Sequence, residues 1–245
     1  MAKKVFVDQF SEPLNGAKTA RIDIHAGDGN LTIDRLAAGE PALAIGILQY
    51  LENQGKPAKT LVANNGHATL TLKGSRAGQS WFHLPWQACN GATDWQIHLN
   101  PTVSSDITAH SDGGNVRLDL AGMAITRVMA DTGGGNIDAI LPNNAVDLKV
   151  TTRTGAGNVN VEIGNNITGN NVVEVNSGAG NVIVKVPNGL AARIQTTTGL
   201  GKAIVDPQFS SIDNNTYQSP DFDNATHKIE LTLKSGAGNV IIETI

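Results

Sequence analysis

The chain is poor in the residues that several common protein classes require. It contains one cysteine, Cys89, so it cannot form a disulfide within itself. Aromatic residues make up only 4% of the 245 residues while glycine is abundant, a composition typical of turns and short strands rather than helix bundles. No apolar run approaches the roughly 18 residues of a membrane-spanning helix. The sequence therefore predicts a β-rich protein without an internal disulfide and without direct membrane insertion.

Positive charge is also scarce. The formal net charge is −4, and no run of lysine or arginine is present. Nucleic acids and anionic lipid surfaces both need concentrated positive charge, so neither is expected as a partner. Residues 1–16 lack the apolar stretch of a signal peptide. The sequence therefore predicts a cytoplasmic protein by default, or one attached to the cell envelope through a partner.

Familiar catalytic and cofactor motifs are missing. The chain has no G-x-S-x-G and no H-E-x-x-H, and its six histidines are scattered. The segment TTTGLGKA (196–203) lacks the first glycine and the final Ser/Thr of a phosphate loop. G-A-G-N-V-I lacks the third glycine of a dinucleotide fingerprint, and calcium-binding β-rolls use shorter repeats that carry aspartate. We therefore expect no catalytic residue, no cofactor and no metal.

What the chain does contain is a recurring glycine-rich motif. It takes the form SGAGN at 177–181 and 235–239, and TGAGN at 154–158. Variants precede and follow these copies, and the residues that end five successive motifs are 21, 22, 23 and 21 positions apart. Periods of about 20 to 50 residues are typical of repeat architectures. The final step, to Asn239, is 37 residues and predicts an insertion.

Apolar residues flank every motif with a period of two, which is typical of strands with one buried face. Eight positions before the end of each motif, the residue is always Ile, Val or Leu: Ile22, Ile107, Val128, Val150, Val173, Ile194 and Leu231. Each repeat therefore predicts a strand, a glycine corner and a second strand. The sequence predicts an all-β, single-chain β-solenoid (β-helix) with about 21–23 residues per coil, right-handed by the general handedness of twisted β connections.

Outward positions support coil-on-coil stacking, because charges there alternate in sign between successive repeats. Opposite charges on neighbouring strands favour pairing. The three alternating sets are Glu162, Lys185 and Asp206; Arg117 and Asp138; and Asp106 and Arg127.

The asparagine that ends most motifs has a structural interpretation. Its side chain is expected to turn inward and to bond the turn backbone of the adjacent coil, which would give a ladder of structural residues. The predicted ladder consists of Asn30, Asn115, Asn136, Asn158, Asn181 and Asn239.

Three regions are expected within one continuous domain: N-terminal β coils or hairpins at 1–75, an aromatic-rich connector or cap at 76–100, and solenoid repeats at 101–245. Residues 43–51 also fit one face of a short helix, although strands on both sides favour a strand.

The connector contains all three tryptophans, together with His83, Cys89 and His98. We favour a hydrophobic cap, because solenoid ends need covering. The alternative is a ligand platform for a sugar or peptide, formed by Trp81, Trp86 and Trp95. A metal site of histidine and cysteine is disfavoured, since no ligand spacing is recognisable.

Two long segments resemble a known family. EPLNGAKTARIDIHAGDGNLTIDRL (12–36) and the run from WQIHLN to DAILP (95–142) are similar to the bacterial toast-rack proteins, relatives of the C-terminal domain of LiaF-type cell-wall-active antibiotic response proteins. The repeated S/T-G-x-G-N also resembles adhesin-type β-strand-repeat families. The resemblance implies a bacterial β-solenoid linked to cell-envelope stress sensing or surface adhesion, with no catalytic residues carried over.

Three functions follow as expectations. The first is a non-catalytic scaffold or protein-interaction module in the envelope stress response, which binds an unknown protein or self-associates through its end coils. The second is an adhesin-like carbohydrate- or peptide-binding module that uses the tryptophans. The third is a polysaccharide-acting β-helix enzyme with carboxylates and basic residues on one outer face, where Arg117, Asp119, Asp138, Glu162 and Lys185 lie.

Overall fold

A computed structural model describes residues 4–74 and 93–245, which form strands and no helix. The strands of the first half are β1 (Val5–Pro13), β2 (Thr19–His25), β3 (Asn30–Arg35), β4 (Ala42–Leu51), β5 (Ala58–Asn64), β6 (His67–Lys73), β7 (Asp94–Leu99), β8 (Ser104–Ser111), β9 (Val116–Asp119), β10 (Ile125–Thr132) and β11 (Ile137–Ile140). Those of the second half are β12 (Lys149–Thr154), β13 (Val159–Glu162), β14 (Asn170–Ser177), β15 (Val182–Val186), β16 (Ala192–Thr198), β17 (Ala203–Val205), β18 (Ser210–Ser211), β19 (Thr216–Gln218), β20 (Lys228–Ser235) and β21 (Val240–Thr244). The predicted all-β class is confirmed.

The strands form two large sheets in which most neighbours are parallel. Sheet 1 has the order β1-β4-β7-β3-β9-β11-β13-β15-β21-β17, and sheet 2 has the order β18-β19-β16-β20-β14-β12-β10-β8-β2-β6-β5. Antiparallel strands occur only toward the ends of these orders within the described ranges.

Each repeat contributes one strand to sheet 2 and the next strand to sheet 1, and we call such a pair a rung. The eight rungs lie in the same order in both sheets, and we call their stack the column. Seven rungs turn from one sheet to the other through a glycine corner, while the connection from β6 to β7 lies outside the described residues. The corners therefore align along one side of the column.

The order of the rungs departs from the sequential stacking that the repeat predicts, and it does so at both ends. The second rung, β6 with β7, lies outside the first, β2 with β3. The last rung, β20 with β21, is inserted between β14/β15 and β16/β17. Insertion gives β20 and β21 backbone partners on both sides, which satisfies their N–H and C=O groups more fully than an outermost position would.

The core lies between the two sheets, where the predicted inward residues meet. All seven residues eight positions before the motif ends are buried. The apolar residues one and three positions after the end of each motif are buried too. The exceptions are Ala203 and Val205, which are half-buried because β17 is the outermost strand of sheet 1. The predicted buried face is confirmed.

Residues 42–51 form strand β4 and not a helix, since they pair with both β1 and β7. Leu43, Leu48 and Leu51 are buried, whereas Ile47, on the predicted helical face, lies on the outer side and is half-buried.

The stacking of outward charges agrees with two of the three predicted sets. Asp138 pairs in register with Arg117, and Arg127 with Asp106. In the third set Lys185 neighbours Glu162 on one side, but on the other it neighbours Glu243 and not Asp206, because β21 separates β15 from β17.

The sheets run without interruption across the expected boundaries. Strand β2 pairs with β8, and β3 pairs with β9. The division at 1–75, 76–100 and 101–245 stays a prediction, as does the right-handed path of the solenoid.

Candidate functional site

The six predicted asparagines form a ladder along the corners. The side-chain Oδ1 of each accepts a hydrogen bond from the backbone N–H that ends the motif of the next rung, at 2.8–3.0 Å. In spatial order the ladder runs through Asn30, Asn115, Asn136, Asn158, Asn181 and Asn239, and it ends at the N–H of Lys202. These side chains are exposed or half-buried rather than turned into the interior. Their amides are therefore occupied in joining rungs.

A second ladder lies beneath the first, and the sequence analysis missed it. Four positions before five of the six asparagines lies a buried hydroxyl that donates to the carbonyl oxygen of a corner glycine in the adjacent rung; before Asn30 this position is Ala26. Thr132 donates to Gly114 at 2.7 Å, and Thr154 donates to Gly135 at 2.8 Å. Ser111, Ser177 and Ser235 make the same contact. The signal in the sequence was the Ser/Thr that opens S/T-G-x-G-N.

The tryptophans divide between described and undescribed parts of the chain. Trp95 lies in β7, is 2% exposed, and donates through Nε1 to the carbonyl oxygen of Gln49 at 3.0 Å. Its ring is thus enclosed in the core, and the expectation that Trp95 forms part of an exposed ligand platform does not agree with this placement. Trp81 and Trp86 lie outside the described residues.

The outer face of sheet 1 carries a shallow groove of about 460 Å³ across β9 to β21. Its lining combines the apolar Ile140 and Ile183 with the charged side chains of Arg117, Asp138 and Glu162. The charges are engaged with neighbours: Asp138 accepts a hydrogen bond from Asn160 at 2.6 Å, and Glu162 lies 4.0 Å from Lys185. Asp119, the fifth residue of the predicted catalytic face, caps a turn by accepting the N–H of Ala121. The groove is open, and Asp138 and Glu162 each contact a neighbouring polar side chain.

A cluster of histidine and aspartate lies on the outer side of sheet 2, next to the corners. Asp112 Oδ1 lies 3.0 Å from Nε2 of His110 and 3.3 Å from Nε2 of His25. The other ring nitrogen of His110, Nδ1, lies 2.6 Å from Oδ1 of Asp131. Partial burial lowers the pKa of His110, but hydrogen bonds to Asp112 and Asp131 outweigh it, so the pKa is raised above its ordinary value. The expectation of no metal site rested on the spacing of residues along the sequence. That spacing could not reveal this cluster, because the fold brings His25 of one repeat beside His110 and Asp112 of another.

The ends of the column carry most of the exposed large apolar side chains. Eight such side chains occur among the described residues, and six of them lie on the outermost strands, corners or turns: Val5, Val7, Val62, Leu200, Ile204 and Ile212. Leu200, at the corner of the outermost rung, is 89% exposed, and Ile204 on β17 is 51% exposed. The backbone edges of β1 and β17, at opposite ends of sheet 1, have no neighbouring strand within the described residues.

In the part of the chain that the structure describes, no helix has the length and apolar character needed to cross a membrane.

The fold has a known relative among solved structures. A crystal structure described as a "putative cell adhesion protein" from Clostridium sporogenes matches with a TM-score of 0.67 at 20% identity, over 99% of this chain and 100% of that chain. A "putative adhesin" from Bacteroides fragilis matches with a TM-score of 0.42 at 12% identity, over 98% of each chain. The first likeness shows a shared fold. No curated protein matches the chain.

The family is shown by the sequence itself. A family model described as the N-terminal domain of toast_rack, DUF2154, matches residues 2–162, which is more than half of the chain. This confirms the resemblance carried by residues 12–36 and 95–142. The chain belongs to the toast-rack family.

Proposed function

We propose that this protein is a non-catalytic interaction module of the bacterial cell envelope that associates with protein chains through the ends of its column. The family and the fold shared with the clostridial protein support a non-enzymatic module. The observation that carries the proposal is the concentration of exposed apolar side chains at the two ends, with Val7 on β1 and Ile204 on β17. Exposed apolar groups beside an open sheet edge mark an interaction surface.

A second copy of the chain is the partner that this geometry favours. Strand β1 is antiparallel to β4, which is antiparallel to β7, and every further neighbour in sheet 1 is parallel. Strands β1 and β17 therefore run in the same direction, so β1 of one copy can extend sheet 1 beyond β17 of another as a parallel strand. Such head-to-tail contacts build open chains of subunits. Consecutive rungs are neighbours over most of the column, as in a solenoid, and we keep its right-handed path as a proposal from the general handedness of parallel β connections.

The envelope part of the proposal rests on the family resemblance, and head-to-tail assembly would suit it by giving an elongated scaffold with repeated outer faces. The sheet 1 groove and the asparagine ladder would then recur along the assembly. The adhesin-like platform is less well supported, since Trp95 is enclosed. A catalytic role is less well supported as well, since Asp138 and Glu162 are paired with neighbours.

The mass of the full chain in solution tests the proposal. Size-exclusion chromatography with light scattering over a series of concentrations should give masses above the 25.6 kDa of one chain. Ile204→Lys should lower the mass toward that of a monomer, because it replaces an apolar contact at the junction with a hydrated charge. Val146→Lys is the matched control, since Val146 is 59% exposed but lies between inner rungs, and it should behave as the wild type. A wild type that stays monomeric at every concentration would contradict the proposal.

A further inference from the structure

The outer face of sheet 2 places two histidines from distant repeats side by side. His25 ends β2 and His110 lies on β8, and the two are partners in the parallel register of these strands. Their rings pack edge to face, with centroids 4.2 Å apart. Asp112 follows β8 at the start of the glycine corner and turns its carboxylate toward both rings. The side chains are about 30% exposed, so the cluster can be reached from solvent.

The spacing of the three polar atoms suits a small cation. One ring nitrogen of His25, one of His110 and a carboxylate oxygen of Asp112 all lie within 4.8 Å of one another. Zinc binds imidazole nitrogen and carboxylate oxygen at about 2.0–2.2 Å, so ligand atoms around a tetrahedral zinc are separated by about 3.3 Å. The two nitrogen-to-oxygen distances, 3.0 and 3.3 Å, are close to that separation.

Asp131 is a second carboxylate in contact with His110. Its Oδ1 lies 2.6 Å from Nδ1 of His110, on the opposite side of the ring from Asp112. A carboxylate that accepts the Nδ1–H holds a proton there, so Nε2 is the nitrogen that can bind a metal once the ion displaces the proton that Nε2 shares with Asp112. Histidines that ligate metals are commonly oriented by a carboxylate in this way.

We propose that His25, His110 and Asp112 bind a divalent transition-metal ion of the zinc type, with Asp131 as the positioning residue for His110. Two imidazoles favour zinc over calcium or magnesium, which prefer sets of oxygen ligands. The fourth ligand would be water, since the cluster is open to solvent. The ion would join neighbouring rungs whose residues are 85 positions apart in the sequence, and it would therefore stabilise the junction at which β6 and β7 depart from sequential order.

Metal titration of the full chain tests this site. After treatment with EDTA and dialysis, calorimetric titration with zinc chloride should show one equivalent bound per chain, and the thermal unfolding midpoint should rise with zinc. His110→Ala should abolish both effects. Asp131→Asn should leave the three ligands in place and weaken binding by about 10- to 100-fold.

Two control variants separate this site from other zinc-binding groups. His98→Ala removes a comparable half-exposed imidazole that also contacts an aspartate, Asp34, but that belongs to sheet 1. Cys89→Ser removes the one thiol of the chain. Both should bind zinc as the wild type does. If His110→Ala fails to fold by circular dichroism, His25→Gln and Asp112→Asn remove one ligand each with little change in size.

Three results would overturn the proposal. The wild type could show neither binding heat nor a shift of the unfolding midpoint, in which case the cluster is a histidine pair hydrogen-bonded to aspartate. Zinc could bind equally well to folded variants that lack His25, His110 or Asp112. Cys89→Ser could abolish binding, which would place the ion elsewhere.

Discussion

A β-carbon on Gly135 would lie 2.1 Å from the carbonyl oxygen of Gly114 in the adjacent rung. That is far inside van der Waals contact, so only glycine allows the two corners to approach as closely as the flanking strands require. The same relationship recurs up the column, at 2.0 Å from Gly157 to Gly135 and at 2.1 Å from Gly180 to Gly157. The repeated glycine is therefore explained by the packing of backbone on backbone, without a phosphate or an ion.

Gly134 and Gly135, which are neighbours in one corner, can separate the effect of close backbone approach from the effect of glycine flexibility. A β-carbon on Gly134 would meet nothing within 4 Å among the described residues. We expect Gly135→Ala to lower the free energy of unfolding by about 3 kcal/mol or more, and Gly134→Ala to change it by less than about 0.5 kcal/mol. Urea unfolding followed by circular dichroism measures both. Equal effects of the two substitutions would show that close approach is not the reason for the motif.

The buried hydroxyl ladder gives a second pair of variants. Thr132 donates to Gly114 O at 2.7 Å and accepts the N–H of Gly135 at 3.2 Å. Thr132→Val leaves both groups without their partner, so it should cost about 1–3 kcal/mol of unfolding free energy.

Thr152 is the control for this pair. Its hydroxyl is buried and has no hydrogen-bond partner among the described residues. Thr152→Val removes an unsatisfied polar atom and keeps the shape, so it should be neutral or should stabilise by up to about 1 kcal/mol. If Thr132→Val proves as harmless as Thr152→Val, the hydroxyl ladder contributes nothing to stability.

The asparagine ladder predicts a difference between its middle and its end. Oδ1 of Asn158 accepts the N–H of Asn181, whereas Lys202 takes part only through its backbone N–H. We expect Asn158→Ala to cost about 1 kcal/mol of unfolding free energy and Lys202→Ala to cost less than about 0.5 kcal/mol. Hydrogen exchange of the Asn181 amide should quicken in the first variant and stay unchanged in the second. An unaltered Asn181 amide in Asn158→Ala would contradict the ladder.

The proposed role at the envelope predicts where the protein is found. In cells of its own bacterium, the wild type should be recovered with the envelope fraction, because head-to-tail assembly repeats its outer faces and so strengthens their attachment to envelope proteins. Ile204→Lys should move it to the soluble fraction, while Val146→Lys should not. Recovery of all three proteins in the soluble fraction would argue against an envelope role.

Much of the fold could be predicted from local sequence, because residues at equivalent positions in successive repeats have the same surroundings. The apolar residues at Ile22, Ile107 and Val128 predicted buried strands, and they are buried. The motif asparagines predicted a ladder, although their side chains lie at the surface and not within. The Ser/Thr that opens each motif recurs with the same period, but the sequence does not show which carbonyl its hydroxyl reaches, because that partner lies in the adjacent rung.

The order of the end rungs could not be predicted, because a repeat specifies the shape of a rung and not which rung lies beside it. Lys185 fits a carboxylate from either Asp206 or Glu243, so charge alternation could not separate the two orders. The histidine and aspartate cluster depends on the same long-range pairing. His25 and His110 become neighbours only because β2 lies beside β8, while β4 to β7 lie farther toward the end of the column.

The position of β21 between β15 and β17 is the central claim, because it makes β17 the exposed end of the column. Cysteine pairs in a Cys89→Ser background test it most directly. Lys185 and Glu243 are partners in register on the outer face of sheet 1, so Lys185→Cys with Glu243→Cys should form a disulfide on mild oxidation. Lys185→Cys with Asp206→Cys should stay reduced, and efficient cross-linking of that second pair in place of the first would contradict the account.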